Sequence, residues 1–166
     1  SNLDIDRSNF NMTDKKKPQI RKKTLARLAA VQALYQVSQT HEELVDVMRS
    51  FQRKPLELAP DNPLLEEMEI KLFMQVASGT HKHAQKLDKI LVAALPADWP
   101  LNRLDPVLRA ILQAGAYELL FHHEAPIKVV ISEYLDVTHS FYSNKEPAFV
   151  NGVLDQVAKQ VRSKDF

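Results

Sequence analysis

No cysteine occurs in the 166-residue chain. That removes disulfides, thiolate nucleophiles and thiolate metal sites together, and it is compatible with a reducing cytoplasm. Glycine is nearly as scarce, at three residues, which leaves little material for the tight turns of β-hairpins. The one Asn-Gly pair, Asn151-Gly152, falls inside a helical pattern rather than between alternating strands. No apolar run approaches the roughly 18 residues of a membrane span, and no basic start leads into an apolar signal core. With 45% hydrophobic and 26% charged residues the composition is that of a soluble globular protein. The expectation is an all-α protein, with no membrane partner, forming one domain or two small subdomains on a shared core.

Catalytic signatures are missing as well. There is no phosphate-cradling glycine loop, no Gly-x-Ser-x-Gly elbow and no nucleophile with an identifiable base. His81 and His83 are two apart, so on a helix they point in different directions and cannot share a metal. His122 and His123 stand together at a helix end, where the dipole favours them. Glu42-Glu43 and Glu66-Glu67 lie near helix starts, which again suits the dipole better than acid–base work. No catalytic residue, metal or cofactor is expected, and the sequence favours a binding protein over an enzyme.

What is present is an uneven charge. From Asp14 to Arg27 the basic residues are Lys15, Lys16, Lys17, Arg21, Lys22, Lys23 and Arg27, against Asp14 alone, a net +6. The whole chain carries only +1, so the remainder carries −5. A basic arm on a mildly acidic body fits a polyanion for the arm and a basic protein for the body. A solvated tail on an ordinary surface fits the charge equally well.

Residues 1–18 are polar and aperiodic and read as a disordered basic arm. A helical domain is expected over 19–166, with subdomains of about 19–95 and 103–166. TLARLAAVQALYQV predicts a first helix from near Pro18 to Val37, apolar around most of its circumference. A second is expected from Glu42 to Arg53, before a loop marked by Pro55, Pro60 and Pro63. The third starts near Pro63 with Asn62 as its cap and runs to about Leu95, broken or bent near Gly79. After the linker PADWPLNRLDP, DPVLRAILQAGAYELLF predicts the central, most buried helix: Asp105 caps it, Pro106 opens it, and Gly115 points to a close neighbour. The fifth begins around Pro126. The last, EPAFVNGVLDQVAKQV, places Asn151 and Gly152 in a helix interior, where glycine costs about 1 kcal/mol relative to alanine.

For binding, Lys23 and Arg27 are four apart on one helix face, with Arg21 and Lys22 in the preceding turn: a footprint for phosphates. A reader of single-stranded RNA also needs a surface for stacking or hydrogen bonding to bases. Phe149 and Asn151 are candidates for it. Spacing alone fits Phe149 as core and Asn151 as a solvated polar residue just as well.

Four segments then carry a resemblance: QIRKKTLARLAAVQALYQV, LDPVLRAILQAGAYELL, APIKVVISEYLDVTHSF and FVNGVLDQV. In this order and spacing, over about Gln19 to Arg162, the chain resembles the NusB family of bacterial transcription antitermination factors. The resemblance implies an all-helical fold of two packed halves, with about six to seven helices, and a cytoplasmic, non-catalytic role. It implies binding of the boxA element of nascent ribosomal RNA, a single-stranded site, together with the ribosomal protein NusE in the antitermination complex on RNA polymerase. The RNA-contacting set it implies is Arg21, Lys22, Lys23, Arg27, Gln32, Lys145, Phe149 and Asn151. The protein-contacting set is Tyr35, Leu108, Arg109 and Glu133. Gly152 is expected to let the last helix pack closely on a neighbour. A homodimer that hides the RNA surface is a further expectation for this family.

The sequence departs from the family pattern at Lys22 and Lys23, at Thr24 and Leu25 within the basic run, and at Leu108, Gln113, Ser132 and Ala148. Two alternatives stand beside the main reading. One is the NusB-like RNA-binding domain of a ribosomal RNA cytosine methyltransferase, which requires a glycine-rich cofactor domain that these 166 residues do not contain. The other is a helical protein–protein adaptor.

Overall fold

Alanine-rich and leucine-rich segments become helices here. The structure, a computed structural model, describes residues 22–57 and 68–165. The arm, Arg21 and the expected helix start at Asn62–Pro63 lie outside the described residues. Those that are described form α1 (Lys22–Thr40), α2 (Leu44–Glu57), α3 (Ile70–Lys82), α4 (Ala84–Ala94), α5 (Pro106–Phe121), α6 (Ile127–His139) and α7 (Glu146–Val161). Short 3₁₀ turns occupy Leu101–Arg103 and Ser163–Asp165. No strand occurs among the described residues.

The helix α5 is the hub, packed against α1, α3, α4, α6 and α7. Its start follows the sequence: Pro106 takes the first turn, and the Asp105 carboxylate accepts the Val107 N–H at 3.3 Å. Ile111, Leu112, Ala114, Ala116 and Leu119 are wholly buried along it. A Cβ on Gly115 would stand 2.9 Å from both Leu154 methyls, so this glycine lets α7 approach closely. At the far end, the buried Arg162 guanidinium donates to the carbonyls of Leu119 (2.7 Å), His122 (2.6 Å), Ala125 (2.5 Å) and Glu118 (3.2 Å). One side chain thus satisfies carbonyls left over where α5 ends.

Two boundaries differ from the sequence reading. The second helix continues past Pro55 to Glu57. The long third helix is two helices, parted at His83 (φ −102°, ψ 18°) rather than at Gly79. Gly79 stays helical because its missing side chain serves packing: a Cβ there would lie 2.2 Å from the Tyr117 ring. Gly152 shows the reverse. A Cβ at that position would meet nothing within 4 Å, so the expected close packing of α7 at Gly152 does not occur.

Candidate nucleic-acid interface

At the start of α1, Lys22 and Lys23 are exposed. Arg27, one turn later, is not: it is only 6% exposed. Its Nε and Nη2 donate to the two carboxylate oxygens of Glu118 at 2.7 and 2.8 Å, a bidentate pair, and its Nη1 lies 3.2 Å from Glu133 Oε1. Thr24 donates to Glu133 at 2.6 Å, the Tyr134 hydroxyl donates to Glu118, and His122 Nδ1 stands 3.3 Å from Glu118. The network ties α1 to α5 and α6.

Burial works against a charge on Glu118, but hydrogen bonds from Arg27, His122 and Tyr134 reverse it and hold the carboxyl at about 2. Burial opposes the Arg27 charge too, and Glu118 again outweighs it, raising the guanidinium further. Desolvation first, and the Glu118 charge second, push the Tyr134 hydroxyl well above its ordinary value.

This corrects two expectations. Neither Arg27 nor Glu133 faces a partner, because each is consumed inside the protein. The sequence held a signal for it. Arg27 lies in a helix apolar on most sides, and Glu118 interrupts the nearly continuous apolar run of α5, so a charge in either place needs an internal partner.

Leu108 is corrected for the same reason: at 6% exposure it belongs to the core. Its neighbour Arg109 remains partly accessible, with its Nη2 2.9 Å from Asp88 Oδ2; Gln113 donates to the other Asp88 oxygen at 2.8 Å. Arg109 lines a cavity of about 480 Å³ between α1, α3, α4 and α5, together with Val37, His81, Asp88 and Thr80. The Thr80 hydroxyl there is buried without a hydrogen-bond partner. Tyr35 is exposed on α1, and Gln32 is half-buried. Of the four residues expected to meet a protein, only Tyr35 and Arg109 are therefore accessible.

The remaining candidates sit at the start of α7. Lys145 is exposed and its carbonyl accepts the Phe149 N–H at 3.1 Å. Phe149 is half-buried, its ring centroid 5.3 Å from that of Trp99. Asn151 is exposed on the rim of a groove of about 710 Å³ floored by Pro126, Ile127, Ile131 and Leu135. Trp99 was missed in the sequence, because a tryptophan in a proline-rich linker gives no sign of which helix it will meet.

The two groups are far apart along α5. Arg27 meets Glu118 near its C-terminal end, while Leu34 and Val37 share a cavity with Leu104 and Ala110 near its start, so α1 runs antiparallel to α5. With Leu154 against Gly115 and Arg162 over the C-terminal carbonyls, α7 instead runs parallel to α5. Lys22 and Lys23 thus lie toward the C-terminal end of α5 and Phe149 toward the other. A ligand touching both is extended. Among the described residues no group of three His, Asp or Glu side chains converges as a metal site, and no helix is long and apolar enough to cross a membrane.

Comparison with known proteins closes the question of family. The NusB family model matches residues 24–159. The transcription antitermination protein NusB of Granulibacter bethesdensis is 43% identical over 151 residues, spanning 88% of this chain and 93% of its own. That of Mesorhizobium japonicum is 39% identical over 143 residues, spanning 86% and 92%. Among solved structures, T. maritima NusB superposes with a TM-score of 0.67 at 28% identity, over 86% of this chain and 95% of that one. A NusB bound to NusE and double-stranded RNA has the same fold, with a TM-score of 0.67 at 22% identity, over 86% and 99%. The chain belongs to the NusB family.

Proposed function

We propose that the protein is an RNA-binding transcription antitermination factor. It binds the boxA element of nascent ribosomal RNA in the cytoplasm, together with the ribosomal protein NusE on RNA polymerase, and catalyses no reaction. The observation that carries this reading is the match to the NusB family over residues 24–159, shared with relatives named as antitermination proteins. The exposed Lys22 and Lys23 support it, since they offer cations to phosphates at a helix start. Lys145, Phe149 and Asn151 add a second point of contact, and Tyr35 and Arg109 mark the side on which NusE docks.

Fluorescence anisotropy with labelled boxA RNA and a scrambled control, each with and without NusE, tests the proposal. The expected result is a preference for boxA that strengthens when NusE is added. Equal, weak binding to both RNAs, unchanged by NusE, overturns it. A boxA duplex in a parallel titration separates single-strand recognition from the double-stranded binding seen in the related complex.

A further inference from the structure

Trp99 is the one tryptophan of the chain and it is 50% exposed. It stands in the linker between α4 and α5, where its backbone N–H donates to the Pro96 carbonyl at 2.9 Å and holds the turn. Its ring meets Phe149 at a centroid distance of 5.3 Å and an angle of 48°. A tryptophan whose only task was to pin this linker to α7 would turn its face inward, since burying apolar area is what makes pinning favourable. Half of this side chain is left to solvent.

A second, independent observation comes from α7. Gly152 lies three residues after Phe149, on the same helix face, and both it and Asn151 are exposed. No internal neighbour needs the glycine, since a Cβ there would meet nothing within 4 Å. Yet glycine in a helix interior costs about 1 kcal/mol relative to alanine. A side-chain-free patch held at that cost, one turn from the Phe149 ring, leaves helix backbone open to close approach by something outside the protein.

We propose that Trp99 and Phe149 form a two-ring shelf on which an unpaired RNA base stacks, with Gly152 keeping the approach along α7 clear. The inference rests on the RNA-binding reading above and adds a contact to it. Aromatic faces accept any base, because every base has a π-face, so the shelf contributes affinity and orientation more than sequence preference. Exposed cations flank it in the chain: Arg103 follows Trp99 by four residues, and Lys145 precedes Phe149 by one turn.

Because the chain has a single tryptophan, its emission reports on this shelf alone. The test is a titration of the full chain with labelled boxA RNA, reading RNA anisotropy and Trp99 emission in the same cuvette. Emission should be quenched in step with the anisotropy rise. Trp99→Ala should weaken binding about tenfold, and Trp99→Phe should retain most of the affinity. Gly152→Leu should also weaken binding while leaving the melting temperature equal or higher, which no purely structural role for the glycine produces. An anisotropy rise with unchanged emission overturns the shelf and leaves RNA binding intact. No anisotropy rise overturns both readings. Emission that changes with NusE but not with RNA overturns the shelf in favour of a protein contact.

Discussion

Arg27 and Glu118, 91 residues apart in the chain, meet in the core through two parallel hydrogen bonds of 2.7 and 2.8 Å. Glu133, Tyr134 and His122 complete the cluster, which fixes α1 against α5 and α6. The basic start of α1 is therefore divided in two. Its first described residues, Lys22 and Lys23, are exposed cations, and its last holds the helix that presents them.

Arg27→Ala should accordingly behave as a stability mutant. Removing one partner of a buried pair leaves carboxylates uncompensated and costs about 3–5 kcal/mol. Urea denaturation should show the midpoint falling, and RNA affinity should recover at temperatures where the variant is folded. Lys23→Ala should do the reverse: an unchanged midpoint with weaker RNA binding. An Arg27→Ala variant of native stability that fails to bind RNA would contradict the buried geometry.

Acid should unfold the protein through Glu118. Its carboxyl ionises at about 2 in the folded chain against an ordinary value near 4.5. A depressed pKa means that the unfolded state takes up the proton first as pH falls. The stabilisation is complete above about pH 4.5, declines below it, and is gone near pH 2. It amounts to roughly 3 kcal/mol at neutral pH. Denaturation midpoints measured from pH 6 to pH 2 should trace this slope, and Glu118→Gln should flatten it. A variant that kept the wild-type slope would place the titrating group elsewhere.

Much of the fold was legible in the sequence because its strongest cues are local. Asp105-Pro106 at the start of α5, the start of α6 after Pro126 and the full extent of α7 follow from capping and periodicity alone. Gly115 was read correctly because it interrupts an otherwise apolar helix. Whatever depends on which helix meets which was harder to read. Arg27 has the spacing of a phosphate-binding residue, and only the arrival of α5 turns it inward. His83 rather than Gly79 breaks the helix, because the space a glycine frees can be filled by a ring from another element, here Tyr117. The candidate interface was therefore half visible: its lysines and Phe149 by type and position, Trp99 not at all.

The three glycines should respond differently to the same substitution. At Gly79 and Gly115 the new methyl collides with Tyr117 and Leu154, so Gly79→Ala and Gly115→Ala should lower the melting temperature. Gly79→Ala should cost more, because its clash reaches 2.2 Å against a buried ring, whereas the Leu154 methyls can rotate aside. Gly152→Ala should raise stability by about 1 kcal/mol, the difference in helix propensity. Thermal melts of the three variants check the order. A destabilised Gly152→Ala would mean that α7 packs there after all.

With Arg27 removed from the phosphate-facing set, the salt dependence of RNA binding becomes a count of the cations that remain. Arg21, Lys22, Lys23 and Lys145 are four. Each phosphate neutralised on a single strand contributes about −0.7 to the slope of log K against log salt, so the full chain should show roughly −3. Lys22→Ala and Lys23→Ala should each reduce the magnitude by about 0.7. Trp99→Ala, which removes a ring and no charge, should weaken binding at every salt concentration and leave the slope alone. Anisotropy titrations at four salt concentrations separate these outcomes. A near-zero slope in the wild-type chain would mean that the exposed lysines of α1 do not meet the phosphate backbone.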